Sequence, residues 1–216
     1  MTSGRAVYGV PTTLPITEDA PANPINPYGI TKLFFEKVLQ AYSVAHDLRF
    51  VALRYFNAAG AHASGQIGEV HQPETHLIPL MMKAALGVTP PLQIFGDTLP
   101  TADGTCVRDY VHVSDLGDAH VRALEYLEHC GASISLNLGT GRGISIKELM
   151  RALEQLTGSD VPHIYAPPRT GDPPSLFADS TKARNVLSWT PTRALDEILL
   201  SAWNWQKKIE ASGYEL

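Results

Sequence analysis

The fold class is decided by the stretch RFVALRYFN, residues 49–57. It is largely apolar, with three aromatic residues and a valine, and it predicts a buried strand over Arg49–Phe56 that ends at Asn57. Helical spacing precedes it, because apolar residues recur every three or four positions from Tyr28 to about His46. A polar loop, Ala58–Thr75, is predicted to follow it.

Strands and helices are predicted to alternate over the rest of the chain. Asn26 and Pro27 fit the start of the first helix, and Ser145 with Glu148 forms a capping box for another. Further helices are predicted over 77–86, 115–130, 146–156 and 195–208, with a short one from 181, and further strands over 6–8, 92–95 and 134–138. This alternation predicts the α/β class.

Composition is that of an ordinary globular protein, with 216 residues, 44% of them hydrophobic and 18% charged. The formal charge of −5, without clustered lysines or arginines, argues against nucleic-acid binding. The longest apolar stretch, 77–86, is too short to span a bilayer. Cys106 and Cys130 lack metal-ligand spacing and predict reduced thiols, so the sequence predicts a cytoplasmic protein without a membrane partner.

Tyr28 and Lys32 form a Tyr-x-x-x-Lys motif at the start of the first helix. The spacing of four places the phenol and the ammonium on one helical face, where the cation favours the phenolate. Such a phenolate can act as a general base at neutral pH. Tyrosine and lysine often occur at this spacing by chance, so the motif needs its context.

That context is a set of matching runs spread over most of the chain. The runs are PYG at 27–29, RYFNAAGAH at 54–62, ETHLIP at 74–79, DGTCVRDYVHV at 103–113, RTGD at 169–172 and WNW at 203–205. From about Ala6 to Trp205 the chain resembles the UDP-glucose 4-epimerases of the extended short-chain dehydrogenase/reductase group. The resemblance implies an isomerase of galactose metabolism with a Rossmann-type parallel sheet and a smaller α/β domain for the UDP-sugar.

The resemblance also implies roles for the catalytic and cofactor-binding residues. Tyr28 would take the proton from the sugar C4 hydroxyl while hydride passes to bound NAD, and Lys32 would hold the nicotinamide ribose. Tyr55 would lie near the nicotinamide. The expected ligands are UDP-glucose and UDP-galactose, and the full-length family is expected to form homodimers.

On the substrate side, the resemblance implies contacts with each part of a UDP-sugar. Two arginines would bind the diphosphate, Asp172 the ribose, and Asn57 the diphosphate-sugar, which are groups suited to anions and hydroxyls. Leu176 falls where some epimerases have a bulky tyrosine, and a smaller residue there would admit N-acetylated sugars. The full set of predicted substrate residues is Asn57, His76, Leu77, Gln93, Phe95, Arg108, Arg169, Asp172 and Leu176.

Two features depart from the family pattern. The glycine-rich turn that binds the NAD pyrophosphate is absent from these 216 residues, so we expect an incomplete sheet and an N-terminally truncated chain that exposes the strand at 49–56 and the helix after Tyr28. The family's catalytic serine or threonine aligns with Gly4, next to Ser3. The predicted division is residues 1–57 as the remainder of the NAD-binding domain and 58–216 as mainly the substrate domain, with 111–141 returning to the sheet.

Other interpretations remain at this point. The chain is either an epimerase whose activity depends on the missing part or an inactive fragment that binds UDP-sugars or a partner. A related dehydratase or decarboxylase is disfavoured, because those relatives have acidic residues where this chain has Gly4 and Arg5. No metal site is predicted, because the spacing of His62, His71, His76 and His112 does not match the usual ligand spacings.

Overall fold

A computed structural model describes residues 2–129 and 131–213 of the protein. Cys130, whose thiol is predicted to be reduced, lies outside the described residues. The helices are α1 (Pro27–His46), α2 (Leu77–Ala85), α3 (Val113–His129), α4 (Ile146–Thr157), α5 (Thr181–Leu187) and α6 (Leu195–Ser212). The strands are β1 (Thr2–Gly4), β2 (Val51–Tyr55), β3 (Asn57–Ala59), β4 (Leu92–Phe95), β5 (Val107–Arg108), β6 (Tyr110–His112), β7 (Ile134–Leu138), β8 (Ile144–Ser145), β9 (His163–Ala166) and β10 (Ser175–Leu176). The α/β class is confirmed.

The first helix begins where the sequence predicts. The Asn26 side chain accepts a hydrogen bond from the backbone N–H of Gly29, and Pro27 occupies the first turn. The helix ends at His46, after which Asp47 adopts a left-handed conformation with φ of 53°. Ser145 likewise caps α4 by accepting from the N–H of Glu148.

The main sheet consists of β1, β2 and β7, with β2 in the centre and all strands parallel. Ser3 pairs with Arg54, and Leu53 pairs with Leu136. The prediction that the strand at 49–56 would be exposed is wrong, because neighbouring strands flank β2 and α3 covers one face. Its residues Val51 and Leu53 are 2% and 1% exposed.

The start of the chain differs from the sequence prediction. Residues 6–8 belong to a short 3-10 helix, Arg5–Tyr8, and the strand lies earlier, at Thr2–Gly4. Val7 and Tyr8 are consecutive, and both are buried. In a strand with one buried face, successive side chains point to opposite faces, so only one of the two would be buried. A further difference is β3, which lies within the predicted loop and pairs with β6.

Three smaller sheets support the rest of the molecule. In one, β5 lies between β10 and the antiparallel β8; in the others, β3 pairs with β6 and β4 with β9. The strand β9 was not predicted. Its side chains are mostly exposed, so it lacks the buried pattern by which strands are recognised in a sequence.

Apolar side chains form two large clusters and one small one. The sheet cluster joins β2 and β7 to α3, α5 and Trp189. The second joins β4 to α2, α4 and α6. The small cluster contains Val7, Tyr8, Ile16, Phe56, Leu176 and Ala178. Within the described residues, no helix is long and apolar enough to cross a membrane.

Candidate functional site

The site residues nearest the main sheet lie at one edge. Because β1, β2 and β7 are parallel, their carboxyl ends meet there, which is where open α/β sheets bind ligands. Asn57 follows β2 at this edge. The start of α1 packs against the 3-10 helix after β1 so closely that a Cβ on Gly29 would lie 2.3 Å from the carbonyl oxygen of Ala6.

Tyr28 and Lys32 lie together on the first turns of α1. The Lys32 Nζ lies 5.2 Å from the centre of the Tyr28 ring, and Tyr28 is 59% exposed. In the described part of the chain neither the phenol nor the ammonium has a hydrogen-bond or ion-pair partner. Both groups are therefore available to a ligand. Tyr55, at the end of β2, is partly buried, and its ring lies 6.5 Å from that of His120.

Asn57 is connected to Arg108 through Asp109, which lies between β5 and β6. The backbone N–H and the Nδ2 of Asn57 both donate to the carbonyl oxygen of Asp109, at 2.9 and 2.8 Å. The buried Asp109 carboxylate accepts hydrogen bonds from the N–H groups of Thr140, Gly141 and Ala178. Burial raises the pKa of Asp109, and these hydrogen bonds oppose that shift.

Arg108 and Asp172 form an ion pair. Arg108 Nη2 lies 2.7 Å from Asp172 Oδ1, and Arg108 Nη1 donates to the carbonyl oxygens of Val107 and Pro174. The arginine is 5% exposed, whereas the Asp172 side chain is 44% exposed. The structure thus fixes the guanidinium and leaves the carboxylate accessible to a ligand.

Arg169 and Phe95 also lie together. The guanidinium carbon of Arg169 is 4.0 Å from the centre of the Phe95 ring, a cation–π contact. The backbone N–H of Asp172 donates to the carbonyl of Arg169 at 3.3 Å, which connects the two pairs. Gln93 is exposed on β4, two residues before Phe95. Contacts therefore link Asn57, Arg108, Asp172, Arg169 and Phe95 in that order, although these residues are far apart in sequence.

The remaining predicted residues lie in different surroundings. Leu77 is the first residue of α2 and packs against the cluster of β4, α4 and α6. His76 precedes it and lies with another histidine and two glutamates. Leu176 is 5% exposed and belongs to the small apolar cluster, next to Arg108 in the sheet of β5. Contact of Leu176 with the sugar remains a prediction. The side chains of Ser3 and Gly4 are outside the described residues.

A buried polar network beside the site was not predicted. Arg54 Nη2 lies 2.5 Å from Glu36 Oε2, and its Nη1 donates to the Tyr8 hydroxyl, which donates to Asn137. Burial disfavours the charge on Arg54, but the hydrogen bonds that Arg54 donates to Glu36 and Tyr8 outweigh it and raise its pKa. Burial raises the pKa of Tyr8 as well. The signal in the sequence was an arginine inside an otherwise apolar strand.

Comparison with known proteins gives the same family as the motifs. Residues 1–139 match the NAD dependent epimerase/dehydratase family. A UDP-glucose 4-epimerase of Lactobacillus helveticus is 50% identical over 214 residues, which are 99% of this chain and 64% of that protein. One of Rhizobium leguminosarum bv. trifolii is 52% identical over 203 residues, covering 94% of this chain and 62% of that protein.

Solved structures are similarly close. The UDP-glucose-4-epimerase of Stenotrophomonas maltophila, with bound NAD and formylated UDP-arabinopyranose, has a TM-score of 0.94 and 42% identity over 98% of this chain and 63% of that chain. The Bifidobacterium longum enzyme, in complex with NAD+ and UDP, has a TM-score of 0.92 and 40% identity over 99% of this chain and 64% of that chain. The chain thus spans just under two thirds of these proteins. It belongs to the NAD dependent epimerase/dehydratase family, within which it resembles the UDP-glucose 4-epimerases.

Proposed function

We propose that this chain supplies the catalytic tyrosine and the UDP-sugar site of a UDP-glucose 4-epimerase, which interconverts UDP-glucose and UDP-galactose through a transient 4-keto sugar. The observation that carries the proposal is the linked set of Asn57, Arg108, Asp172, Arg169 and Phe95. It joins an aromatic ring, two guanidinium groups and an exposed carboxylate. A nucleoside diphosphate offers a base, a diphosphate and ribose hydroxyls that match these groups.

In the proposed reaction, Tyr28 is the general base and Lys32 supports it. The Tyr28 phenolate takes the proton from the sugar C4 hydroxyl and later returns it to the C4 oxygen. The nearby ammonium of Lys32 stabilises the phenolate before the proton is taken and after it is returned, and Tyr28 is a neutral phenol in between. As the proton is taken, the C4 hydride would leave to bound NAD, and because the keto sugar has two faces, its return to the other face would invert the C4 carbon. No net oxidation occurs.

NAD fits this site at its nicotinamide end. When bound, it supplies a hydride acceptor that is regenerated in each turnover. The Lys32 ammonium has no partner in the described part of the chain, so it can donate to the ribose hydroxyls, and Tyr55 lies at the end of the neighbouring strand. The pyrophosphate end needs a glycine-rich turn at a helix start, and these 216 residues contain none.

The missing turn favours a second candidate function for the chain by itself: binding of UDP-sugars without turnover. The observation behind it is that the chain covers only 62–64% of the two curated relatives described above. The diphosphate site lies within this chain, whereas the hydride acceptor needs further sequence. We therefore propose epimerase activity for the whole protein and binding alone for the isolated chain.

Turnover measurements distinguish these two candidates. The chain is produced alone and joined to the dinucleotide-binding segment of the Lactobacillus helveticus relative, and conversion of UDP-galactose and bound nicotinamide are measured. We expect activity with NAD in the joined protein only. Tyr28→Phe should lower its turnover by about 10²–10⁴-fold, because the general base is lost.

Tyr42→Phe is the matched control, because Tyr42 lies on the same helix and is 53% exposed. It should retain activity. Full activity of the joined Tyr28→Phe protein, or no activity of the joined parent, would contradict the epimerase proposal. Steady turnover by the chain alone would contradict the binding-only function.

A further inference from the structure

We propose that Glu69, His71, Glu74 and His76 form a binding site for one divalent transition-metal ion, with Zn²⁺ as the preferred ion. The four residues lie in the stretch EVHQPETH, residues 69–76, between β3 and α2. This site is separate from the proton-transfer pair on α1, but it shares His76 with the residues that the family resemblance assigns to the substrate. Metal binding can be measured without epimerase turnover. The spacing of the histidines alone did not reveal it, because the glutamates supply half of the ligands.

The side chains converge on a small volume. One ligand atom from each residue can be chosen so that all of them lie within 4.8 Å of one another. The Nδ1 atoms of both histidines approach the same oxygen, Glu69 Oε1, at 3.1 Å for His71 and 2.9 Å for His76. The two imidazole rings are 4.7 Å apart between their centres. Two rings that direct their nitrogens at one carboxylate form the start of a coordination shell.

These separations match a tetrahedral ion. With bonds of about 2.0–2.1 Å to nitrogen and oxygen, neighbouring ligands around Zn²⁺ lie about 3.4 Å apart. The distances from histidine nitrogens to glutamate oxygens in this cluster run from 2.9 to 3.7 Å. Movements of a few tenths of an ångström would therefore suffice for these pairs. Imidazole and carboxylate are also the ligand types that Zn²⁺ takes in proteins.

The local charge favours a cation. Glu69 and Glu74 lie side by side, and in the described part of the chain neither forms an ion pair with a lysine or arginine. The Glu74 side chain is 6% exposed. Its Oε1 accepts the N–H groups of Thr75 and His76, which fixes the carboxylate and leaves Oε2 directed toward His71. A divalent ion would balance the two carboxylates.

Both ends of the segment are held by helices. The Trp205 indole on α6 donates to the carbonyl of Glu69 at 2.9 Å and packs so tightly on Gly68 that a Cβ there would lie 2.3 Å from the ring. At the other end, His76 immediately precedes α2. Sites held by rigid elements bind metals more tightly than free loops do, because less ordering is required. The histidine side chains are 47% and 55% exposed, so an ion can enter from solvent.

Metal titration of the untagged, chelator-treated chain tests the proposal. Isothermal titration with ZnCl₂ should give one ion per chain, and Co²⁺ should give the intense visible absorption of a tetrahedral site. Loss of an outer-shell partner of a metal typically lowers affinity about 10–100-fold. We therefore expect His71→Ala and Glu69→Gln each to lower Zn²⁺ affinity by at least tenfold.

His129→Ala is the matched control, because His129 is an exposed histidine on α3 outside the cluster. Its Zn²⁺ affinity should equal that of the parent, and circular dichroism should show all variants folded. Glu69→Gln keeps the shape of the side chain, so it tests the ligand even if His71→Ala disturbs the loop. The proposal would be overturned if the parent did not bind Zn²⁺, or if the parent and both cluster variants bound it equally weakly. It would also be overturned if His129→Ala lost as much Zn²⁺ affinity as the cluster variants.

Discussion

At the scale of single residues, the buried pair of Arg54 and Glu36 decides how α1 is placed. Arg54 lies on the central strand and Glu36 on the helix that carries Tyr28 and Lys32, and both side chains are less than 10% exposed. A buried ion pair is expensive to disrupt from one side, because the remaining charge loses its partner without gaining water. The pair therefore fixes the helix against the sheet at a defined rotation.

Glu36→Gln should destabilise the protein by about 3–5 kcal/mol, because it leaves the Arg54 guanidinium buried and uncompensated. Urea unfolding followed by circular dichroism measures the loss. Glu128→Gln, at an exposed position on α3, is the control and should change the free energy of unfolding by less than about 0.5 kcal/mol. Equal stability of the Glu36→Gln variant and the parent would show that the pair does not hold the helix.

How far the site could be predicted also depends on the kind of residue. Tyr28, Lys32 and Arg108 stand in short motifs, and the set of matching motifs along the chain was needed to propose their roles. Asp109 was missed because its partners lie far along the chain: Thr140 is 31 residues away and Ala178 is 69. The cluster of Glu69, His71, Glu74 and His76, proposed above to bind a metal, was not recognised for a related reason, since a loop conformation and not a helical spacing brings its residues together.

At the scale of elements, the position of α1 depends on the absence of a side chain at Gly29. Gly29→Ala should destabilise the protein by about 1–3 kcal/mol, because the new Cβ would meet the Ala6 carbonyl oxygen at 2.3 Å and the backbone would have to move. Thermal unfolding measures the effect. In the proposed joined enzyme the same change should lower turnover, since it displaces Tyr28.

Gly117→Ala is the matched control on α3. A Cβ at this helical glycine meets nothing within 4 Å, so the alanine should stabilise the protein by about 0.5–1 kcal/mol. The two substitutions are chemically identical and should have opposite signs. Stabilisation by both would show that α1 tolerates displacement from the 3-10 helix.

The start of α4 should give the protein a measurable acid sensitivity. Burial disfavours ionised Asp103, but hydrogen bonds from Ser145 and Thr105 outweigh it and lower its pKa below 3.8. When the pKa of a carboxyl group is lower in the folded protein than in the unfolded chain, the ionised group stabilises the fold at pH values above the unfolded pKa. This stabilisation is lost as the pH falls through the folded pKa. Asp103 should therefore contribute stability at pH 5 that is lost as the pH falls through its lowered pKa in the folded protein.

Melting temperatures between pH 5 and pH 3 test this expectation. Asp103→Asn should melt below the parent at pH 5, and the difference should shrink as the pH falls. Asp160→Asn, at an exposed position, is the control and should follow the parent. A constant difference between Asp103→Asn and the parent across this range would contradict the assigned direction of the pKa.

Element positions were predicted well where apolar spacing was regular, as in α1, β2, α4 and β7. The prediction of a strand over residues 6–8 was wrong. Val7 and Tyr8 resemble a strand in sequence, but both are buried against Ile16, Phe56 and Leu176 from other parts of the chain. Such tertiary contacts override local preference.

At the scale of the whole molecule, α1 presents an uncovered apolar surface. Phe34, Phe35 and Val44 are 64%, 56% and 87% exposed, and only Gly29 and Glu36 of this helix are buried. Exposed apolar surface of this kind favours association. The expected exposure of the helix after Tyr28 is thus confirmed, unlike that of β2. The homodimer stays a prediction, and we propose that α1 would form its contact.

The double change Phe34→Glu and Phe35→Glu should shift the chain toward monomer, because it places charges in the association surface. Sedimentation velocity at several concentrations measures the distribution. Leu200→Glu, on α6 and 48% exposed, is the control and should leave association unchanged. A parent chain that is monomeric at all concentrations would contradict this prediction.

The division into a sheet domain over 1–57 with 111–141 and a substrate domain over the rest stays a prediction. The sheet cluster also contains Ala183, Leu187 and Trp189, so α5 packs with the strands although it follows the proposed substrate segment. Residue spacing could not show this, because it reports only which faces are buried and not what covers them.

The most direct test of the central claim is calorimetric titration of UDP into this chain. We expect one UDP per chain, with the free energy of binding weakened by about 1.5–3 kcal/mol in Arg169→Ala, because a charged hydrogen bond to the diphosphate is lost. Arg122→Ala, which removes an arginine paired with Asp118 on α3, should bind UDP like the parent. Absence of UDP binding, or equal binding by Arg169→Ala and the parent, would show that this chain does not contain the proposed diphosphate site.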